Sequence, residues 1–150
     1  MKYKISIFLL LFVFIFEGIA KDSKSPIVIE ADELTFNSKE NIAVYKGHAK
    51  VRKDDLLLKA DRIEVKLDKK GDIKRLVAYG NVYFKKGTTW GKANSSQLLR
   101  DRETIILKGN AELHQGNAMV EGEEIIFYIK DQRVVVRGKG KKVKTIILPK

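Results

Sequence analysis

Apolar and polar residues alternate with a period of two along most of the chain. Ile63, Val65 and Leu67 alternate with Glu64 and Lys66, Leu56 and Leu58 lead into Lys59, Ile125, Phe127 and Ile129 flank Ile126 and Tyr128, and Val134 and Val136 surround Val135. Successive side chains of a strand point to opposite faces, so this pattern predicts strands with one buried face. Beyond residue 20 no window sustains the i, i+3, i+4, i+7 spacing of an amphipathic helix, and the chain is predicted to be all-β. Turn-forming residues cluster at 37–40, 53–55, 68–72, 86–88, 100–103, 115–117 and 130–132, and single glycines mark sharper corners. This punctuation leaves about sixteen short antiparallel strands of about six residues each. They start near residues 27, 32, 41, 48, 55, 62, 73, 81, 89, 96, 103, 110, 118, 124, 132 and 143.

The pattern also repeats at longer range. Gly80-Asn81-Val82-Tyr83-Phe84 returns as Gly47-His48-Ala49-Lys50-Val51 and as Gly109-Asn110-Ala111-Glu112-Leu113, with a weaker copy at Gly138-Lys139-Gly140. After the first three glycines, a small residue opens the next run 13 to 15 positions later, at Ala60, Ser95 and Gly122. A repeat near 30 residues is one supersecondary unit that cannot bury its own apolar face, so the copies must stack on a shared core. Glycine accepts the positive φ or bulge geometry by which one strand bends into the next. The expected architecture is a twisted, open β-jelly roll of two facing sheets. A regular repeat has ends, whereas a closed barrel needs its last strand to meet its first.

Residues 1–20 stand outside this pattern. Lys2 and Lys4 precede a 12-residue run, 5–16, that is apolar apart from Ser6, and Gly18-Ile19-Ala20 supplies small residues at its end. This is the form of a cleavable secretory signal, too short to span a bilayer as a helix. Residues 21–150 then form one domain, bracketed by the only two prolines, Pro26 and Pro149. It carries about +10 of the total +11 charge. An exported basic protein is expected to meet anionic head groups, acidic glycans or an acidic protein. With no cysteine, neither disulfides nor thiol chemistry is available.

The catalytic inventory is thin, and no enzyme, metal or cofactor is expected. His48 and His114 follow glycine corners without other ligands at metal spacing. Asp54-Asp55 falls in a turn, and Ser95-Ser96 lacks a nucleophile elbow. The informative set is apolar: Ile27, Ile29, Phe36, Leu58, Ile63, Val65, Phe84, Leu98, Leu107, Leu113, Ile125, Phe127 and Val136. Alternation places these on the buried face and leaves open whether they fill a dry core or line a channel for an apolar ligand. Tyr79, Tyr83, Phe84 and Trp90 with the basic charge suggest nucleic acid as another possibility, against which the export signal and the scatter of the aromatics both count.

The segment Pro26-Ile27-Val28-Ile29-Glu30-Ala31-Asp32, the Gly47 and Gly80 hairpins, Ser96-Gln97, Leu107-Lys108-Gly109-Asn110-Ala111, Gly122-Glu123-Glu124-Ile125 and the tail from Gly138 to Thr145 together resemble the LptA (OstA-like) family of the Gram-negative periplasm. The resemblance spans about residues 26–149. It implies a twisted jelly roll whose slot takes the acyl chains of lipopolysaccharide. It also implies head-to-tail stacking of copies into a bridge from an LptC-like inner-membrane complex to an LptD-like outer-membrane translocon, with no nucleic acid involved. Carried over by position, Ile27 and Ile29 would contact lipid, and Phe84 and Leu98 would face the interior. The partner edges would be Ile27, Val28 and Ile29 at one end and Val143, Thr145 and Ile147 at the other. Lys50, Arg52, Lys85 and Lys86 would meet phosphates at the rim of the slot. Arg100 stands where the family pattern has an aromatic. A membrane-anchored LptC-type partner is the alternative within the same fold, with residues 5–16 retained.

Overall fold

The computed structural model describes residues 25–149 apart from residues 129 and 132, so the predicted leader lies outside the described residues. Ten strands are present among the described residues: β1 (Val28–Glu30), β2 (Glu33–Asn37), β3 (Ile42–Lys53), β4 (Leu56–Leu67), β5 (Ile73–Lys86), β6 (Thr89–Leu99), β7 (Thr104–Gln115), β8 (Ala118–Tyr128), β9 (Arg133–Arg137) and β10 (Lys144–Ile147). The all-β expectation holds, with a different division of the strands. Six consecutive pairs of the predicted short strands are continuous, each pair forming one long strand bent in the middle.

All pairings are antiparallel and belong to one sheet, in the order β1-β3-β4-β5-β6-β7-β8-β10. β2 also pairs with β3, and β9 also pairs with β8. Each end of the sheet is therefore a strand in two pieces. The two facing sheets expected from the pattern are the two limbs of this single sheet, folded across a line of corners. Register shifts fall on that line in every long pair, between Lys46 and Ala49 of β3 and between Tyr79 and Val82 of β5, for example.

The corners are made by consecutive left-handed residues: Gly47 and His48 (φ 82° and 49°), Gly80 and Asn81 (78° and 49°), and Gly109 and Asn110 (83° and 47°). On β5, Gly80 and Asn81 stand opposite the single residue Asn94 of β6. Two residues facing one is a bulge, which bends the strand and increases its twist. Asparagine tolerates the left-handed region better than most side chains, which suits it to the second position. The corner is also crowded, because a Cβ at Gly80 would lie 2.3 Å from Asp61 Oδ2.

A polar ladder follows the same line. Asn81 Nδ2 donates to Asp61 Oδ2 at 3.0 Å, and His48 Nδ1 lies 2.8 Å from Asp32 Oδ2. The Asp32 carboxylate, through that hydrogen bond and its charge, raises the His48 pKa above the ordinary imidazole value.

The limbs close on one apolar cluster. Val51, Leu58, Val82, Phe84 and Leu113 from one limb pack with Ile63, Val65, Leu76, Leu98, Leu107, Ile125 and Phe127 from the other. Fully burying a large apolar side chain contributes about 1.5–3 kcal/mol, so this interior is the main source of stability in a chain without disulfides.

Candidate functional site

Nine of the thirteen predicted interior residues are buried members of that cluster: Leu58, Ile63, Val65, Phe84, Leu98, Leu107, Leu113, Ile125 and Phe127. Ile29 and Val136 are half-buried and pack against it. Ile27 and Phe36 do not join them. Phe36, at 50% exposure, stands on β2 opposite Ala43. Leu34, two residues before it, is 57% exposed opposite Tyr45, which touches the core. Because Ala43 and Tyr45 face inward, the apolar inner face runs past the packed core to an uncovered end at β2. Leu34 belongs to this surface and was missed, although its alternation with Phe36 placed both on one face.

The opposite end has a matching character. Val143, Ile146, Ile147 and Leu148 are exposed around β10, as is Thr145. Among the described residues, β1 and β2 pair only with β3, while β9 and β10 pair only with β8. Both ends therefore present free strand edges bordered by apolar side chains, which favour pairing with another strand.

The cations assigned to the rim are placed differently. Lys50 and Arg52 flank the buried Val51, and Lys85 follows the buried Phe84, so all three stand on the outer face by the alternation of a strand. Lys86 shares the inward side with Phe84 at the end of β5, and its Nζ donates to Asp55 Oδ1 at 2.9 Å. Lys53, read as part of a turn, instead ends β3 with its side chain only 2% exposed, its Nζ donating to the Ser25 carbonyl at 3.4 Å. Gly91 was also missed: a Cβ there would meet the Phe84 ring at 2.5 Å and the Glu112 carbonyl oxygen at 2.7 Å. It makes room for the aromatic ring inside the fold.

The residues weighed for other chemistry are engaged structurally. His114 stacks on Trp90 with ring centroids 3.7 Å apart and lies 3.0 Å from Glu112 Oε1. The Arg62 guanidinium covers the Tyr79 ring at 4.5 Å, and Phe84 is buried. Tyr83 lies tilted against Trp90, with ring centroids 6.1 Å apart. Among the described residues, no group of three or more histidine, cysteine, aspartate or glutamate side chains is placed to hold a metal ion.

A charged clamp fixes the C-terminal end. Glu124, buried on β8, lies 3.3 Å from Arg137 Nη1, 3.3 Å from Lys139 Nζ and 3.9 Å from Lys108 Nζ. Burial pushes its pKa up, but these cations together push it further down, and the net shift is below the ordinary glutamate value near 4.5. A depressed carboxylate stabilises the fold above the unfolded-state pKa, and that contribution is lost as pH falls through the folded value. The cations are about half exposed, so solvent screening limits the effect to about 1 kcal/mol. Glu124→Gln is expected to lower the hydrogen-exchange protection factors of β9 and the Gly138 loop at pH 7, and to abolish the further loss of protection expected of the unmodified protein between pH 5 and pH 3.

The fold and sequence can be compared with known proteins. A family model described as "LptA/(LptD N-terminal domain) LPS transport protein" matches residues 28–133. The Escherichia coli K12 lipopolysaccharide export system protein LptA is 26% identical over 140 residues, which cover 88% of this chain and 76% of the relative. The Pseudomonas aeruginosa lipopolysaccharide export system protein LptH is 26% identical over 124 residues, covering 78% of this chain and 71% of the relative. The crystal structure of LptH, titled the LptA-homologous periplasmic component of the lipopolysaccharide transport device from Pseudomonas aeruginosa, superposes with a TM-score of 0.73 at 22% identity, covering 88% of this chain and 99% of that one. That superposition establishes the shared fold, and the family match covers well over half of the sequence: the chain belongs to the LptA/(LptD N-terminal domain) family of LPS transport proteins.

Proposed function

We infer that this protein carries lipopolysaccharide through the periplasm, holding lipid acyl chains between the two limbs of its folded sheet and passing them along copies stacked head to tail. The family is one of transport proteins and not of enzymes. One observation carries the reading: the apolar interior continues to an uncovered inner face at β2, and both ends of the sheet are free edges with exposed apolar residues. A twelve-carbon chain costs on the order of 10 kcal/mol to expose to water, at about 0.8 kcal/mol per methylene. An apolar path between the limbs removes most of that cost while the sugar portion stays in solvent.

Leu34, Phe36 and Tyr45 would receive a chain at the open end. Phe84, Leu98, Leu107, Leu113 and Phe127 would border it further in, where the limbs must part to admit it. The N-terminal edge (Ile27, Val28, Ile29) and the C-terminal edge (Val143, Thr145, Ile147) would pair with neighbouring copies, with an LptC-like complex at one end of the bridge and an LptD-like translocon at the other. Residues 1–20 would direct export and be cleaved. Lys86, at the inward end of β5, is the one predicted rim cation on the correct face for this role.

A photo-crosslinking amino acid in place of Phe84 is expected to capture lipopolysaccharide, and the same group in place of the outward-facing Lys85 is not. If the folded protein captured none at Phe84, Leu107 or Leu113, the interior route would be wrong.

A further inference from the structure

The outer face of the sheet carries a cleft that the transport reading does not use. It lies where the β4–β5 and β6–β7 turns meet, with a volume of about 470 Å³, and is walled by Lys66, Lys74, Arg75 and Arg102. Gln97 and Leu99 also line it, and Asp101 is its only acidic residue.

Three features of the backbone build this concentration of charge. Lys66 and Arg75 are direct cross-strand partners, an arrangement of like charges that opposes pairing. The register then shifts, because Leu67 pairs with Ile73, leaving Lys74 as an extra residue in β5. Such a bulge re-aims a side chain, and here two consecutive cations line the same cleft. Finally, the β6–β7 turn is tied against the start of β5: Arg100 N donates to the Lys74 carbonyl at 3.1 Å, and Arg100 Nη1 donates to that of Ile73 at 3.4 Å. Thr104 Oγ1 donates to the Arg102 carbonyl at 2.8 Å, which steadies the turn that carries Arg102.

The protein supplies little to offset these charges. Among the described residues no carboxylate forms an ion pair with Lys66, Lys74, Arg75 or Arg102. Asp68, in the neighbouring turn, is occupied in accepting backbone N–H groups from Lys70 and Asp72 at 2.9 and 3.0 Å. Lys66 Nζ donates to the Glu40 carbonyl at 2.8 Å, which orients the ammonium without neutralising it.

We propose that this cleft is a binding site for a phosphomonoester, of the size of a sugar phosphate. Two guanidinium groups and two ammonium groups against one carboxylate match a dianion better than a single negative charge, and arginine offers paired donors to phosphate oxygens. The volume lies in the range of small-molecule sites, and the Gln97 amide and Leu99 side chain suit the hydroxyls and the apolar face of a sugar ring. The site is independent of lipid carriage, since it lies on the face opposite the interior.

The test is a titration of the isotope-labelled protein followed by amide NMR, with glucose 1-phosphate, inorganic phosphate and glucose as probes. Glucose 1-phosphate is expected to shift the amides of Lys66, Lys74, Arg75, Gln97 and Arg102 saturably, with half-saturation at about 1 mM or below, and glucose is not. Arg75→Gln and Arg102→Gln, both at exposed positions, should each weaken binding about tenfold or more without lowering thermal stability, since Arg75→Gln also removes a like-charge pair with Lys66. Equal affinity for inorganic phosphate supports the site and assigns recognition to the phosphate alone; tighter binding of glucose 1-phosphate supports it and adds the sugar. Absence of saturable shifts in this cleft with either phosphate, or shifts that survive both substitutions, would overturn the proposal.

Discussion

Phe127→Ala is expected to destabilise the protein by about 3–5 kcal/mol, the range for deleting a fully buried aromatic ring from a packed interior. Phe127 is 0% exposed and sits in the limb opposite Phe84 and Leu113, inside the cluster that closes the fold. Urea unfolding should show a lower midpoint with an unchanged slope. Under the transport reading, the variant also opens space on the acyl-chain path. Lipopolysaccharide present at about 100 times its dissociation constant stabilises the bound state by about 2.7 kcal/mol, and the vacated volume should make that increment larger in Phe127→Ala than in the unmodified protein. A smaller increment in the variant would mean that lipid does not occupy this part of the interior.

Gly80→Ala is expected to cost about 2–5 kcal/mol although it adds a single methyl group at a half-buried position. Two effects combine there. An alanine at φ 78° carries a left-handed penalty of about 1–2 kcal/mol. Its Cβ would also approach Asp61 Oδ2 to 2.3 Å and Asp61 Cγ to 2.9 Å, and overpacking of this kind costs about 1–3 kcal/mol. The two parts separate experimentally. In an Asp61→Ala background the two carboxyl contacts are gone and only the Cβ contact at 3.1 Å remains, so the cost of Gly80→Ala in thermal unfolding should fall toward the conformational part of about 1–2 kcal/mol. An undiminished cost would show that Asp61 does not crowd the corner.

These two positions mark what was legible in the sequence. Phe127 alternates with Tyr128 and Ile126 within a clear run, and period-two spacing assigned it to the interior. Gly80 announced a corner because its surroundings recur at Gly47 and Gly109. The continuity of the strands through those corners was not legible. A pair of left-handed residues interrupts the alternation as a loop would, and only the pairing on both sides shows that the strand goes on. The exposure of Phe36 and Ile27 was hidden for another reason: alternation reports which face a side chain occupies, not whether anything covers that face. The outer placement of Lys50, Arg52 and Lys85, by contrast, was contained in their alternation with Val51 and Phe84. Lys53 defeated the pattern because its charge and its neighbours Asp54 and Asp55 together resemble an exposed turn.

The phosphomonoester cleft illustrates a further limit. Arg102 is distant in the chain from Lys66 and Arg75, and only the register of β4 on β5 and the anchoring of the β6–β7 turn bring the three together. Charge in the sequence showed a basic protein; pairing showed where the charge accumulates.

The order of strands has a consequence for how the molecule forms. From β3 to β8 every strand pairs with its immediate neighbour in the chain, so no early step requires a distant segment to be found first. Any hairpin can act as a template for the next, and ordering spreads outward in both directions. The last pieces to settle are β1 with β2 and β9 with β10, each held from one side only. A body holding only β3 to β8 would expose the long outer edges of β3 and β8, and the short end strands are what cover them.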